Sequence, residues 1–186
     1  MKDKFICLVM ILWAVVFILL TGCTKDRYTV WPGQTGTSDT SHLMLNEFMA
    51  SNGTTIANPD APGSFDDWIE IYNPTNTDID LAGYYLTDSL ADKTKCQIPS
   101  GNPITIIPAH GYKIIWADNT PTRGPLHTSF ALSKNGEALG LTSPQSVMLD
   151  SITFAIQVTD VSVGRVPDGS SLWKSTTSPT PGTANH

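Results

Sequence analysis

From His42 onward the chain is built of short apolar runs, broken about every ten residues by Asn, Pro, Gly or Asp. No stretch of this region keeps a helical period, so strands are the only regular element it supports. The runs predict strands at Leu43–Phe48, Trp68–Asn73, Ile79–Thr87, Ile104–Ile107 and Tyr112–Ala117. Four more are predicted at Phe130–Lys134, Glu137–Thr142, Val147–Phe154 and Asp160–Val166. Asn135-Gly136 falls between two of these and predicts a two-residue hairpin, because both central positions of such a turn need φ > 0. The fold class expected is all-β, an antiparallel sandwich whose two inner faces bury each other.

One run carries a charge inside it. In DDWIEIYNPTN, Asp66 to Asn76, alternation puts Ile69 and Ile71 on one face and Trp68, Glu70 and Tyr72 on the other. A carboxylate between two aromatics can serve as a catalytic acid, a metal ligand, a sugar-binding handle or a structural tie. A buried charge needs a partner, and Arg165 in Ser162-Val163-Gly164-Arg165 is the basic residue best placed by motif order. The expectation is that the strand carrying Arg165 returns beside the Trp68 strand and forks onto Glu70 or Glu47.

The amino terminus has a different character. Lys2 and Lys4 precede an apolar run from Ile6 to Leu20. As a helix, that run reaches about 22 Å, short of a hydrocarbon core of about 30 Å. It reads as the helical h-region of a signal peptide. Leu20-Thr21-Gly22-Cys23 resembles the lipobox of bacterial lipoproteins, where cleavage falls before an acylated cysteine. That resemblance implies a signal peptide at 1–22, a lipidated Cys23 and stable membrane anchoring by several acyl chains. Residues 24–41 are rich in Thr, Gly, Ser and Asp and complete a flexible tether, 23–41. With Cys7 in the signal and Cys23 acylated, Cys96 is the one cysteine left, too few for an internal disulfide or a zinc cluster. Its setting in KCQIP predicts a buried thiol.

The segments LNEFMASN, DDWIEIYNPTNTDIDLAGYYLTD, IPAHGYKIIWA, FALSKNGEALGL, LDSITF, VSVGRVPDG and SPTPGTAN follow one another from Leu43 to Asn185. In that order they resemble a lamin-tail domain of the bacterial type. The resemblance implies an immunoglobulin-like β-sandwich over 42–186. One departure is Cys96, where many relatives carry an aromatic before the proline.

Chemistry-bearing motifs are sparse. His42, His110, His127 and His186 fall at turns or ends, outside any HExxH arrangement, and read as exposed. No GxSxG, Walker or GxGxxG motif is present. Between His42 and Asp92 nine acids occur with no Lys or Arg. Two readings of Asn58, Asp60, Asp66 and Asp67 stand: an oxygen-rich Ca²⁺ site, or solvated turn formers. Trp68 and Tyr72, with Tyr84 or Tyr85, define a candidate sugar-stacking surface, against ordinary packing of aromatics.

From His42 the domain holds seven basic and fourteen acidic residues, a net of −7. Nucleic acid is therefore excluded as the expected partner. The sequence leads to a lipoprotein of the bacterial cell envelope, at the outer membrane or cell surface. It would present a non-catalytic β-sandwich to a protein or polysaccharide partner, with no cofactor unless Ca²⁺ binds. The alternative is an accessory module of a secreted hydrolase system, or a carbohydrate- or Ca²⁺-binding module.

Overall fold

The computed structural model of the protein describes residues 42–186. The expected signal segment at 1–22, Cys23 and the tether to residue 41 lie outside the described residues. Eleven strands follow in order among the described residues: β1 (Met44–Met49), β2 (Trp68–Tyr72), β3 (Ile79–Asp80), β4 (Tyr85–Thr87), β5 (Cys96–Gln97) and β6 (Ile106–Ile107). After these come β7 (Tyr112–Trp116), β8 (Glu137–Thr142), β9 (Met148–Phe154), β10 (Ser162–Arg165) and β11 (Trp173–Thr176). One sheet has the order β11-β10-β1-β2-β7 and a second the order β5-β4-β8-β9, with a small β3-β6 pair beside them. All named strand pairs are antiparallel. The architecture is an immunoglobulin-like β-sandwich.

The core forms where the inner faces meet. Leu45, Phe48, Ile69, Ile71 and Ile115 from the first sheet pack against Leu86, Leu139, Leu141, Ile152 and Phe154 from the second. The rings of Phe48 and Phe154 lie 4.5 Å apart, and Trp173 closes on Phe48 edge-on at 6.0 Å. Burying each such side chain is worth about 1.5–3 kcal/mol. As alternation requires, Ile69 and Ile71 point into this core.

Where the strands differ from expectation, local hydrogen bonds explain it. Ile79–Thr87 divides into β3 and β4 because Asp80 Oδ1 accepts from Ala82 N at 2.9 Å and Gly83 turns at φ 84°. Ile104–Ile107 begins as a 3-10 turn, Pro103–Thr105, capped by the Asn102 side chain. Phe130–Lys134 forms no strand. There Ser133 N donates to Glu137 Oε1 at 2.6 Å and Gly136 N to Ser133 O at 3.1 Å. Gly136 alone of the Asn-Gly pair turns left-handed, at φ 98°, and a Cβ on it would lie 2.7 Å from Phe154 O. The strand neighbours of β8 are instead β4 and β9.

Candidate functional site

The outer face of the five-stranded sheet carries Glu47, Glu70 and Tyr72 of the residues that the sequence marks out. A bulge between Leu45 and Glu47 lets Asn46 leave the alternation of β1, so Glu47 and Glu70 become direct register partners. Both are buried, at 1% and 0% exposure. Above them lies the carboxy-terminal segment. Gly182 N donates to Glu70 Oε2 at 2.6 Å, and Thr180 N donates to Glu47 Oε2 at 3.2 Å. Ser162 Oγ also donates to Glu47. Asn46 Nδ2 is shared between Glu70 Oε1 and Asp168 Oδ1, at 2.9 Å to each. Asp168 in turn accepts from Tyr112 Oη at 2.6 Å and Asn185 N at 3.0 Å.

The Asn185 amide fills the space that the bulge opens. Its Nδ2 donates to Asn46 O at 3.2 Å and to Arg165 O at 2.9 Å. It lies against Gly164, where an added Cβ would sit 2.8 Å from it. Glycine is required here for the close approach of a side chain. Burial pushes the Glu70 carboxyl up to about 8 against the donors Asn46 and Gly182, with Glu47 and Asp168 adding to the rise. Burial likewise raises Glu47 and the Tyr112 hydroxyl.

The expected pairing of Arg165 with Glu70 or Glu47 is not made. Gly164 is the register partner of Glu47, so Arg165, one residue on, points to the inner face. There it forks onto Asp150 of β9, with Nη2 at 2.8 and 2.9 Å from the two carboxylate oxygens. Its Nε donates to Leu45 O at 2.7 Å, Nη1 donates to Ser170 O, and the guanidinium lies 4.4 Å from the Trp173 ring. Arg165 and Asp150 thus clasp the two sheets at one end. Asp150 was not singled out by the sequence, although its place in LDSITF, on a strand of the opposing sheet, was the available signal.

Trp68 and Tyr72 do not form an open surface. Trp68 is fully buried in a second apolar cluster with Met49 and Trp116, and Ile56 and Ile114 pack against it. Its Nε1 has no hydrogen-bond partner among the described residues. Tyr72 is half-buried and stacks on Tyr112 at 5.0 Å, so its ring face is already covered on one side.

The acidic loop folds onto a second polar cluster. Expected to be exposed, His127 is instead 3% exposed, with Nδ1 2.8 Å from Asp118 Oδ2 and Nε2 3.1 Å from Asp60 Oδ2. Arg123 Nη1 bridges Asp118 at 2.7 Å and Asp66 at 3.3 Å. Asn58 Nδ2 donates to Asp66 Oδ2 at 2.8 Å, and Asn52 N donates to Asp67 Oδ1 at 3.1 Å. One carboxylate oxygen each of Asp60, Asp66 and Asp67 is thus engaged within the fold. Among the described residues, no group of three or more His, Cys, Asp and Glu side chains is disposed to hold a metal ion. Cys96 is buried, and Ser129 N donates to its Sγ at 3.3 Å.

No curated protein and no solved structure matches the chain. The family described as Lamin Tail Domain matches residues 36–155, well over half of the sequence, and this stretch contains β1 to β9. Residues 156–186 lie beyond it yet supply β10, β11 and the segment that covers Glu47 and Glu70. The chain belongs to the Lamin Tail Domain family.

Proposed function

We propose that this protein is a lipid-anchored component of the bacterial cell envelope. In this reading it presents its immunoglobulin-like domain as a non-catalytic binding or scaffolding surface to a protein or polysaccharide partner. The observation that carries the non-catalytic reading is how the reactive side chains are used. Glu47, Glu70, Asp168, His127, Arg165 and Asp150 all hydrogen-bond within the fold, tying loops and strands to one another. A catalytic acid or base needs a free approach to substrate, and these carboxylates are engaged on both oxygens or covered. Membership of an immunoglobulin-like domain family is compatible with this role.

Anchoring rests on the lipobox-like Leu20-Thr21-Gly22-Cys23. Metabolic labelling with a palmitate analogue tests it: the wild type takes up label and Cys23→Ala does not. For contact with a protein partner, the loop after β9 has the most exposed large apolar side chains among the described residues, Ile156 at 74% and Val158 at 66%. A pull-down from envelope extracts, run beside a glycan and phosphoester hydrolysis panel, tests the binding role. Specific capture without turnover supports it, and hydrolysis abolished by Glu70→Ala overturns it.

A further inference from the structure

Beneath the segment over the outer face, seven neutral donors reach Glu47, Glu70 and Asp168. They are the backbone N–H groups of Thr180, Gly182 and Asn185, the Asn46 amide, and the hydroxyls of Ser162, Thr180 and Tyr112. Three carboxylates therefore converge beneath a short stretch, 180–185, that carries no ionisable side chain of its own. We propose that residues 180–185 are a proton-gated strap, seated on the sheet while Glu70 carries a proton and lifted from it when Glu70 ionises.

Several elements turn titratable groups toward the site. β1 contributes Glu47, β2 contributes Glu70 and Tyr72, and β7 contributes Tyr112. Asp168 follows β10, whose outward positions Ser162 and Gly164 do not titrate, and Arg165 turns its guanidinium to Asp150 on the other face. On β11 the outward cation is Lys174, the register partner of Gly164, and His186 flanks the strap at the terminus. Ionising Glu70 adds a charge beside Glu47 and Asp168 in a buried place, where like charges repel and water is excluded. Lifting the strap withdraws Gly182 from Glu70 and Asn185 from the Asn46 and Arg165 carbonyls, and lets water reach the carboxylates.

The direction of the effect follows from linkage. Seated, Glu70 is raised to about 8 by burial; with the strap lifted it returns toward the ordinary glutamate range. Opening therefore releases a proton. Its equilibrium constant rises about tenfold per pH unit between those two values and levels off above the higher one.

Hydrogen exchange on the full-length purified protein tests this, with amide rates in 178–186 divided by their unprotected rates at each pH. Protection of the Gly182 and Asn185 amides is expected to fall at least tenfold between pH 5.5 and 8, while β1 and β2 keep theirs. Asp168→Asn removes one neighbouring charge and lowers the seated value of Glu70, so the rise in opening is expected to level off at lower pH and to be smaller overall. Glu70→Gln is expected to remove the pH dependence. Strap protection that stays constant across this range in the wild type overturns the proposal, whatever the variants do. So does a fall shared equally by β1 and β2, because that reports unfolding of the domain.

Discussion

Asp150 and Glu70 are both carboxylates drawn out of water, and the molecule accommodates them by opposite means. Against Asp150 it sets a guanidinium, held in a two-pronged contact at 2.8 and 2.9 Å and itself stacked on Trp173. Against Glu70 it sets an asparagine amide and a glycine N–H, with two further carboxylates in the same network. A desolvated charge must be paired or neutralised. The inner clasp takes the first course and the outer cluster takes the second, through a proton. The clasp joins two sheets through a cation that opposes the rise burial imposes on Asp150, whereas the cluster holds a chain segment through neutral donors alone.

The largest expected effect lies at the clasp. Arg165→Met keeps the side-chain bulk but leaves Asp150 buried without its cation and strands the Leu45 and Ser170 carbonyls. A loss of about 3–5 kcal/mol is expected, read from urea unfolding at pH 7. Restoring much of it with Asp150→Asn in the same chain would sharpen the contrast, since the penalty then belongs to the uncompensated charge. A loss below about 1 kcal/mol would break it.

Next in size is the pH dependence of the outer cluster. Glu70 is raised in the folded state, so its contribution is fully present below the ordinary glutamate value of 4.5 and is lost as pH rises through about 8. Unfolding free energy is expected to decline across that window by up to about 1.4 kcal/mol per pH unit at its steepest. Arg165→Met should keep this slope, and Glu70→Gln should flatten it. The glutamine variant is also less stable at pH 5. A protonated carboxyl keeps a lone pair on each oxygen for Asn46 and Gly182, but an amide offers an acceptor to only one of them.

Gly164→Ala probes the same cluster without touching a charge. The new Cβ would meet Asn185 Nδ2 at 2.8 Å and Glu47 Cγ at 3.2 Å. Overpacking of this kind costs about 1–3 kcal/mol. The strap amides are expected to lose protection while the Arg165–Asp150 clasp keeps the inner face intact. Equal loss on both faces would mean that the two regions are not separable.

How much of this could be read beforehand turns on parity and on distance. Alternation placed Ile69 and Ile71 in the core because a half-buried strand has only two faces. The same alternation, applied to Trp68, Glu70 and Tyr72, says which side they occupy but not what covers it. The cover for Glu70 arrives from Gly182, 112 residues away, and nothing local announces it. Arg165 was placed on the wrong face by one residue: Gly164 meets Glu47, and a register offset of one reverses every side chain. His127 read as a turn histidine because Asp60 lies 67 residues away, and Asp118 is brought near by its loop. β11 escaped notice because Trp173 is followed by Lys, Ser and Thr, without an apolar alternation.

The smallest effect comes from a third carboxylate, Asp160, which is open to solvent and has the opposite sign. It accepts from the Thr54 N–H and hydroxyl at 2.8 Å, from Gly53 N at 2.7 Å and from Thr55 Oγ1 at 3.2 Å, pinning the turn after β1. These donors, the Thr54 backbone foremost, pull it down to about 2 from 3.8. A lowered folded value means that its contribution is present above the ordinary aspartate range and is lost as pH falls toward 2. Asp160→Asn is a clean probe because asparagine also tolerates the left-handed backbone at φ 59°. At pH 6 the variant is expected to melt slightly below the wild type, with faster exchange at Gly53 and Thr54. As pH falls from 6 through 2.5 the gap between the two melting points is expected to narrow, and it closes only below about pH 2, where protonation takes from the wild type what the substitution removed. A gap that widens on acidification would show that Asp160 acts through something other than its ionised form, and the distinction between charge held by donors and charge suppressed by burial would no longer extend to it.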